Sequence, residues 1–192
     1  MNNLQFRAED HSYHVNGVRL PSVTEILKDV GLIDTTHFKP EHAERGTTVH
    51  EATQFWDETG MEDDTIPEEL LGYLEGWKKF REETGFEPSH IEQSFYSPQG
   101  YAGTVDRIGK THKINPILLD IKTGPKQGWH RLQLAAYALM AKHELRIPIW
   151  EYWGVHLKRD GKYSVETYKS IEDSADWLAV LKVYQLKQGA AK

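Results

Sequence analysis

Apolar and polar positions alternate differently along the 192-residue chain, and the change of period marks its organisation. Near the start, "HSYHVNGVRL" sets the turn pair Asn16-Gly17 between two short runs of strand character, the strongest local hairpin signal. "PSVTEILKDVGL" follows, with Val23, Ile26, Leu27 and Val30 at helical spacing, Ser22 or Thr24 as cap and Gly31 as stop. A longer helix is predicted from about Pro40 to Glu58, with proline suited to the first turn. A third, in "PEELLGYLEGWKKFREETG", carries Leu70, Leu71, Leu74, Trp77 and Phe80 on one stripe and ends near Gly85. From Glu87 the period drops towards two, and strands are expected at roughly 90–97, 101–109 and 117–123, joined as a meander by "SPQG" and "KTHKIN". A helix over about 128–144 comes next, with Leu132, Ala135, Ala136, Leu139 and Met140 as its core face. A hairpin around Asp160-Gly161 and a helix over about 171–187 complete the chain.

Composition narrows the class. The length suits one domain, read as an N-terminal hairpin with helices (about 1–86), a meander with its helix (87–145) and a C-terminal hairpin and helix (146–192). The 39% hydrophobic and 27% charged fractions are those of a soluble globular protein. No apolar stretch approaches a membrane span, and "MNNLQFRAEDHSYH" does not read as a secretory signal, so the expected location is cytoplasmic. Cysteine is absent, which removes disulfides, thiolate zinc sites and iron–sulfur clusters; a metal must use oxygen and imidazole. The formal charge of −6 argues against coating nucleic acid by bulk electrostatics and leaves only a local patch for DNA.

The chemistry concentrates in the meander. In "ILLDIKTG", side chains two apart share a strand face, so Asp120 and Lys122 project together while Ile121 points away. With a turn centred near His112 and Lys113, Asp106 falls opposite Asp120; a three-residue loop pairing Ser97 with Tyr101 brings Glu92 opposite Asp106. Like charges directly opposed are destabilising, which a cation between the carboxylates would relieve. The bland alternative is that these acids face solvent, as charged residues usually do.

The segments "RGTTVH", "GTVDRIG", "ILLDIKTG" and "QLAAY", in that order over roughly residues 45–140, resemble the PD-(D/E)XK nuclease superfamily, specifically its RecB-type branch, which includes many bacteriophage exonucleases. The opening "HSYHVNGVRLPSVTEIL" is similar to the start of small phage members. The resemblance implies a single-domain α/β fold, a restriction-endonuclease-like core with a central mixed β-sheet flanked by helices. It implies that His50, Asp106, Asp120 and the Ile121 carbonyl are ligands of Mg2+ or Mn2+, and that Lys122 is the catalytic lysine. Gln133 and Tyr137, one helical turn apart, match the family's Q-x-x-x-Y motif, expected to support the site and contact DNA. Val105 stands where many members have proline.

Beside the resemblance, the residues suit phosphodiester hydrolysis, because magnesium and manganese favour oxygen ligands and one or two carboxylates. Glu92 is a further candidate; Glu51 reads as solvated. Arg45, Lys126, His130 and Arg131 flank the centre as candidate phosphate contacts, with plain surface charge as the alternative, and Trp129 either stacks on a base or packs. The expected activity is that of a metal-dependent deoxyribonuclease, an exonuclease of phage-type DNA recombination, repair or processing. DNA, a strand-annealing or single-strand-binding protein and a homo-oligomer are the expected partners. The rivals are a noncatalytic nucleic-acid-binding module of the same fold, and an endonuclease or RNA-directed nuclease.

Overall fold

A computed structural model describes residues 4–190 apart from 35, 37, 38, 63, 64, 115 and 170. The chain opens with a three-stranded antiparallel sheet, β1 (Leu4–Arg7), β2 (Ser12–Val15) and β3 (Val18–Leu20). Asn16 and Gly17 turn between β2 and β3 at φ 52° and 81°, the left-handed pair that matches strand twist. Strand β1 carries no sequence signal, because "LQFR" is too short to show a period.

Helix α1 (Val23–Asp29) begins on Ser22, which settles the choice of cap. The Glu25 N–H donates to Ser22 Oγ at 3.0 Å, and the Ser22 N–H donates to Glu25 Oε2 at 2.7 Å, a closed capping box. Helix α2 (Pro40–Thr59) starts on proline and ends on Gly60 in the left-handed region. The third helix begins later than its stripe suggested: Glu68–Leu70 form a 3-10 turn and α3 spans Leu71–Thr84. Leu71, 37% exposed, is therefore off the core stripe, which consists of Tyr73, Leu74, Trp77 and Phe80. Gly72 and Gly76, poor helix residues by propensity, lie under the hairpin at Asp160. A Cβ on Gly72 would come within 1.9 Å of the Arg159 carbonyl oxygen.

The main sheet has the order β4-β5-β6-β7-β8, from β4 (Glu87–Ser97), β5 (Tyr101–Lys110), β6 (Ile117–Lys122), β7 (Glu151–Leu157) and β8 (Tyr163–Tyr168). Among the pairs of these five strands β6–β7 is the parallel one, and its crossover contains α4 (His130–Leu145). Strand β4 starts at Glu87, earlier than expected, and passes a register irregularity between Pro88 and His90, tolerable on an edge strand. Helix α5 (Ile171–Ala190) follows β8.

Both sheet faces are covered. One core joins Leu118 and Tyr152 to α1, α4 and α5, including Leu134, Met140 and Trp177. The other joins Ile117, Leu119, Ile121, Trp153 and Val155 to Trp77 and Phe80 of α3. Burial on both faces explains why β6 reads as an almost unbroken apolar run. Within that run Asp120 is 3% exposed, so its charge is a cost the fold carries at one point.

Candidate metal centre

Strand pairing builds the centre. Arg107 lies opposite Leu119, and Ser97 opposite Tyr101, the registers that the turn positions predict. The β5–β6 ladder ends at Arg107 and Leu119. One step beyond, the Ile121 N–H donates to Asp106 Oδ2 at 2.6 Å, a carboxylate taking the place of a strand carbonyl. Glu92 has φ 45°, a left-handed backbone inside a strand, which is strained for a non-glycine residue and interrupts the regular alternation there.

Helix α2 brings the imidazole from the opposite side. His50 Nδ1 is 3.4 Å from Glu92 Oε1 and 3.6 Å from Asp106 Oδ2, while Nε2 lies 3.1 Å from the Ile121 carbonyl oxygen. One donor atom each from His50, Glu92 and Asp106 fall within 4.8 Å of one another. Asp120 and Lys122 share a face as expected, with Lys122 Nζ 2.5 Å from Asp120 Oδ2.

Electrostatics in this corner are lopsided. Burial raises Asp106 above the ordinary carboxylate range, against the opposing pull of His50; burial and then the charge of Asp106 raise Asp120. Burial works against a charged His50, but Asp106 and Glu92 outweigh it and carry the imidazole up to about 9. Protons on His50 therefore partly offset the acids when no metal is bound. The donor set fits a hard divalent cation: carboxylates, an imidazole and a nearby carbonyl, with Asp120 Oδ2 buried and lacking a well-aligned hydrogen bond. His50, Glu92, Asp106 and Asp120 are the groups that could hold it.

Lys122 is itself held. Its Nζ donates to Gln133 Oε1 at 2.8 Å and stands 5.4 Å over the Trp129 ring. Gln133 Nε2 donates in turn to Tyr137 Oη at 3.1 Å and Thr24 Oγ1 at 3.4 Å. Gln133 and Tyr137, each 6% exposed, thus support the lysine from within. Trp129 packs against the core beside them.

The flanking cations divide. Arg131 is engaged by Asp173 and Asp176 of α5, both at 2.7 Å, which makes it a helix tie in this structure. His130, 3% exposed, is likewise no surface contact. Lys126 stays half exposed, 3.4 Å from Glu166, and Arg45 is half buried on α2. Glu51 is solvated, as expected.

One supporting network lies beyond the residues that the sequence singles out. Arg107 is fully buried and donates from Nη1 to Glu92 Oε1 at 2.8 Å and to the Asp106 carbonyl at 2.7 Å, from Nε to Asp57 Oδ2 at 2.7 Å, and from Nη2 to Thr53 Oγ1 at 3.2 Å. Asp57 also accepts from Trp77 Nε1 at 3.0 Å and pairs with Arg81. Two signals were available: an arginine inside the apolar run "TVDRIG", and the positions 50, 53 and 57, which share one helical face.

Among solved structures, the alkaline exonuclease LHK-Exo of Laribacter hongkongensis is similar at 14% identity and TM-score 0.43, with 88% of this chain and 92% of that one covered. An Eubacterium rectale protein named "Putative exonuclease" is similar at 8% identity and TM-score 0.37, covering 81% and 84%. No curated protein matches the sequence. Residues 39–187, which hold the acids, the imidazole and the lysine of the candidate centre, match the model of the PD-(D/E)XK nuclease superfamily, and the chain belongs to that superfamily.

Proposed function

We propose that this protein is a magnesium- or manganese-dependent deoxyribonuclease that degrades DNA from its ends. The observation that carries the reading is the convergence of His50, Glu92 and Asp106 within 4.8 Å beside the Asp120–Lys122 pair. The carboxylates and His50 would hold a divalent ion, which would supply Lewis-acid stabilisation of the scissile phosphate and lower the pKa of a coordinated water. Lys122, oriented by Gln133 and Asp120, places a fixed positive charge at the phosphate and positions the attacking water. A buried Gln133–Tyr137 support limits the lysine's rotamers, so its charge meets the transition state already organised.

The end-directed mode, a role in phage-type recombination, repair or processing in the cytoplasm, and a strand-annealing or single-strand-binding partner are supported by the resemblance of the motif order to RecB-type phage nucleases. Light scattering with and without DNA tests the oligomer. The activity is tested on end-labelled linear DNA, closed circular DNA and RNA, with magnesium, manganese or chelator, comparing wild type with Asp120→Ala and Lys122→Ala. Metal-dependent loss of linear DNA that needs both side chains, with the circle intact, is the expected result. Cleavage of the circle would make it an endonuclease, a preference for RNA would move the substrate, and no turnover on any of the three would leave a binding module.

A further inference from the structure

We infer that His130, His156 and Glu166 form a second metal site, suited to a divalent first-row transition ion such as zinc and lying across β6 from Asp106. One donor atom from each of the three residues lies within 4.8 Å of the others. His156, on β7, pairs with Lys122 on one side and Ser164 on the other; Glu166, on β8, pairs with Gly154. His156 and Glu166 are thus diagonal neighbours on one sheet face, and His130 reaches them from the first turn of α4. Gly154 lies beside them, where a Cβ would make ordinary van der Waals contact with His156 Nε2 at 3.5 Å.

The surroundings have the second shell that ligands need. His156 Nδ1 is 3.2 Å from the Gly124 carbonyl oxygen, which fixes the proton on Nδ1 and turns Nε2 towards Glu166 Oε2 at 3.1 Å. Glu166 Oε2 accepts from Tyr168 Oη at 3.0 Å, and Lys126 approaches Oε1 at 3.4 Å. Burial would raise Glu166, but Tyr168, His156 and Lys126 more than offset it and keep the carboxylate ionised. Burial, then the charge of Lys122, pushes His130 down to about 3, so its imidazole is neutral, the form that binds metal.

A simple buried ion pair between His156 and Glu166 accounts for two of the three residues. It does not account for His130, 3% exposed, whose hydrogen bond is a long 3.4 Å contact from the Gln127 N–H. Two imidazoles and one carboxylate form a donor set for zinc, cobalt or nickel, whereas the oxygen-rich centre across β6 suits magnesium or manganese. Lys122 and Lys126 lie close by and temper the affinity electrostatically.

The inference concerns binding and stands apart from the nuclease reading. The full chain carrying Asp106→Asn and Asp120→Asn, which disables the first centre, is titrated with zinc chloride by calorimetry and with Co2+ by visible absorption. We expect about one equivalent to bind, with the visible bands of nitrogen-ligated cobalt, and to raise the melting temperature. Adding Glu166→Gln or His156→Gln removes that binding, by more than the roughly 10–100-fold that loss of an outer-shell partner costs. Circular dichroism verifies folding; Glu166, on the edge strand β8, is the safer substitution and decides the matter if the histidine variant unfolds. No zinc or cobalt binding in the Asn background, or binding that survives Glu166→Gln in a folded chain, overturns the second site whatever the outcome of the nuclease assays.

Discussion

Glu92 divides two charged regions that solve the same problem in opposite ways. On one side Asp57, Arg81 and Arg107 form a network in which carboxylate charge meets guanidinium charge and Arg107 spends its donors on Glu92, Asp57, Thr53 and a backbone carbonyl. On the other, Asp106, Asp120 and Glu92 face His50 and Lys122, and the acids that are buried are pushed towards holding protons. Fixed, satisfied charges build a scaffold. The second cluster keeps its charges incompletely matched, which costs stability in the free chain and gives a cation something to bind.

Substitutions separate the two regions. Arg107→Met should have the largest effect on folding, about 3–5 kcal/mol lost in urea denaturation, because it removes the fully buried guanidinium that ties Asp57, Glu92 and Thr53 together. A loss under 1 kcal/mol would mean that the network is not the scaffold described. Asp120→Asn should reverse the pattern: turnover falls by about 10^2–10^3-fold or more, the scale of losing one electrostatic group from an active site, while stability in chelator stays level or rises. A marked destabilisation there would make Asp120 structural. Glu92→Gln touches both regions and should have intermediate effects, weakening divalent-ion affinity by roughly tenfold, or 1.4 kcal/mol, while the amide oxygen still accepts from Arg107.

The gentlest perturbation is the proton. His50 is raised from its ordinary 6.5 to about 9 in the folded chain, so its contribution to stability is complete below 6.5 and disappears as pH rises through about 9. In chelator, stability should therefore decline across that window relative to a His50→Gln variant. With manganese present the trend in affinity should run the other way, because the cation competes with the same proton. A flat difference between wild type and His50→Gln from pH 6 to 9 would remove His50 from the cluster.

Much of this centre can be read along the chain. The Pro98-Gln99-Gly100 loop and the turn near His112 determine strand register by counting, which places Glu92, Asp106 and Asp120 in one region. The spacing of Asp120 and Lys122 predicts a shared face, and that of Gln133 and Tyr137 a shared helical side. Their direction was harder. Sequence expects Gln133 and Tyr137 to support the site and contact DNA; in the fold Gln133 holds Lys122 and Tyr137 holds Gln133, contacts that depend on how α4 packs against the sheet. Arg131, by sequence a candidate phosphate contact or plain surface charge, is tied to Asp173 and Asp176 of α5.

Local periodicity, turn chemistry and residue type thus determine the elements, the register of the meander and the acids that belong together. Tertiary structure alone decides what those acids face. Asp57 reaches Arg107 from 50 positions upstream, His50 reaches the Ile121 carbonyl from 71 positions away, and His130 meets His156 and Glu166 only after β7 and β8 have joined the sheet. A side chain's partners across such distances depend on how whole faces bury against one another, and the energy of that burial is spread over many apolar residues.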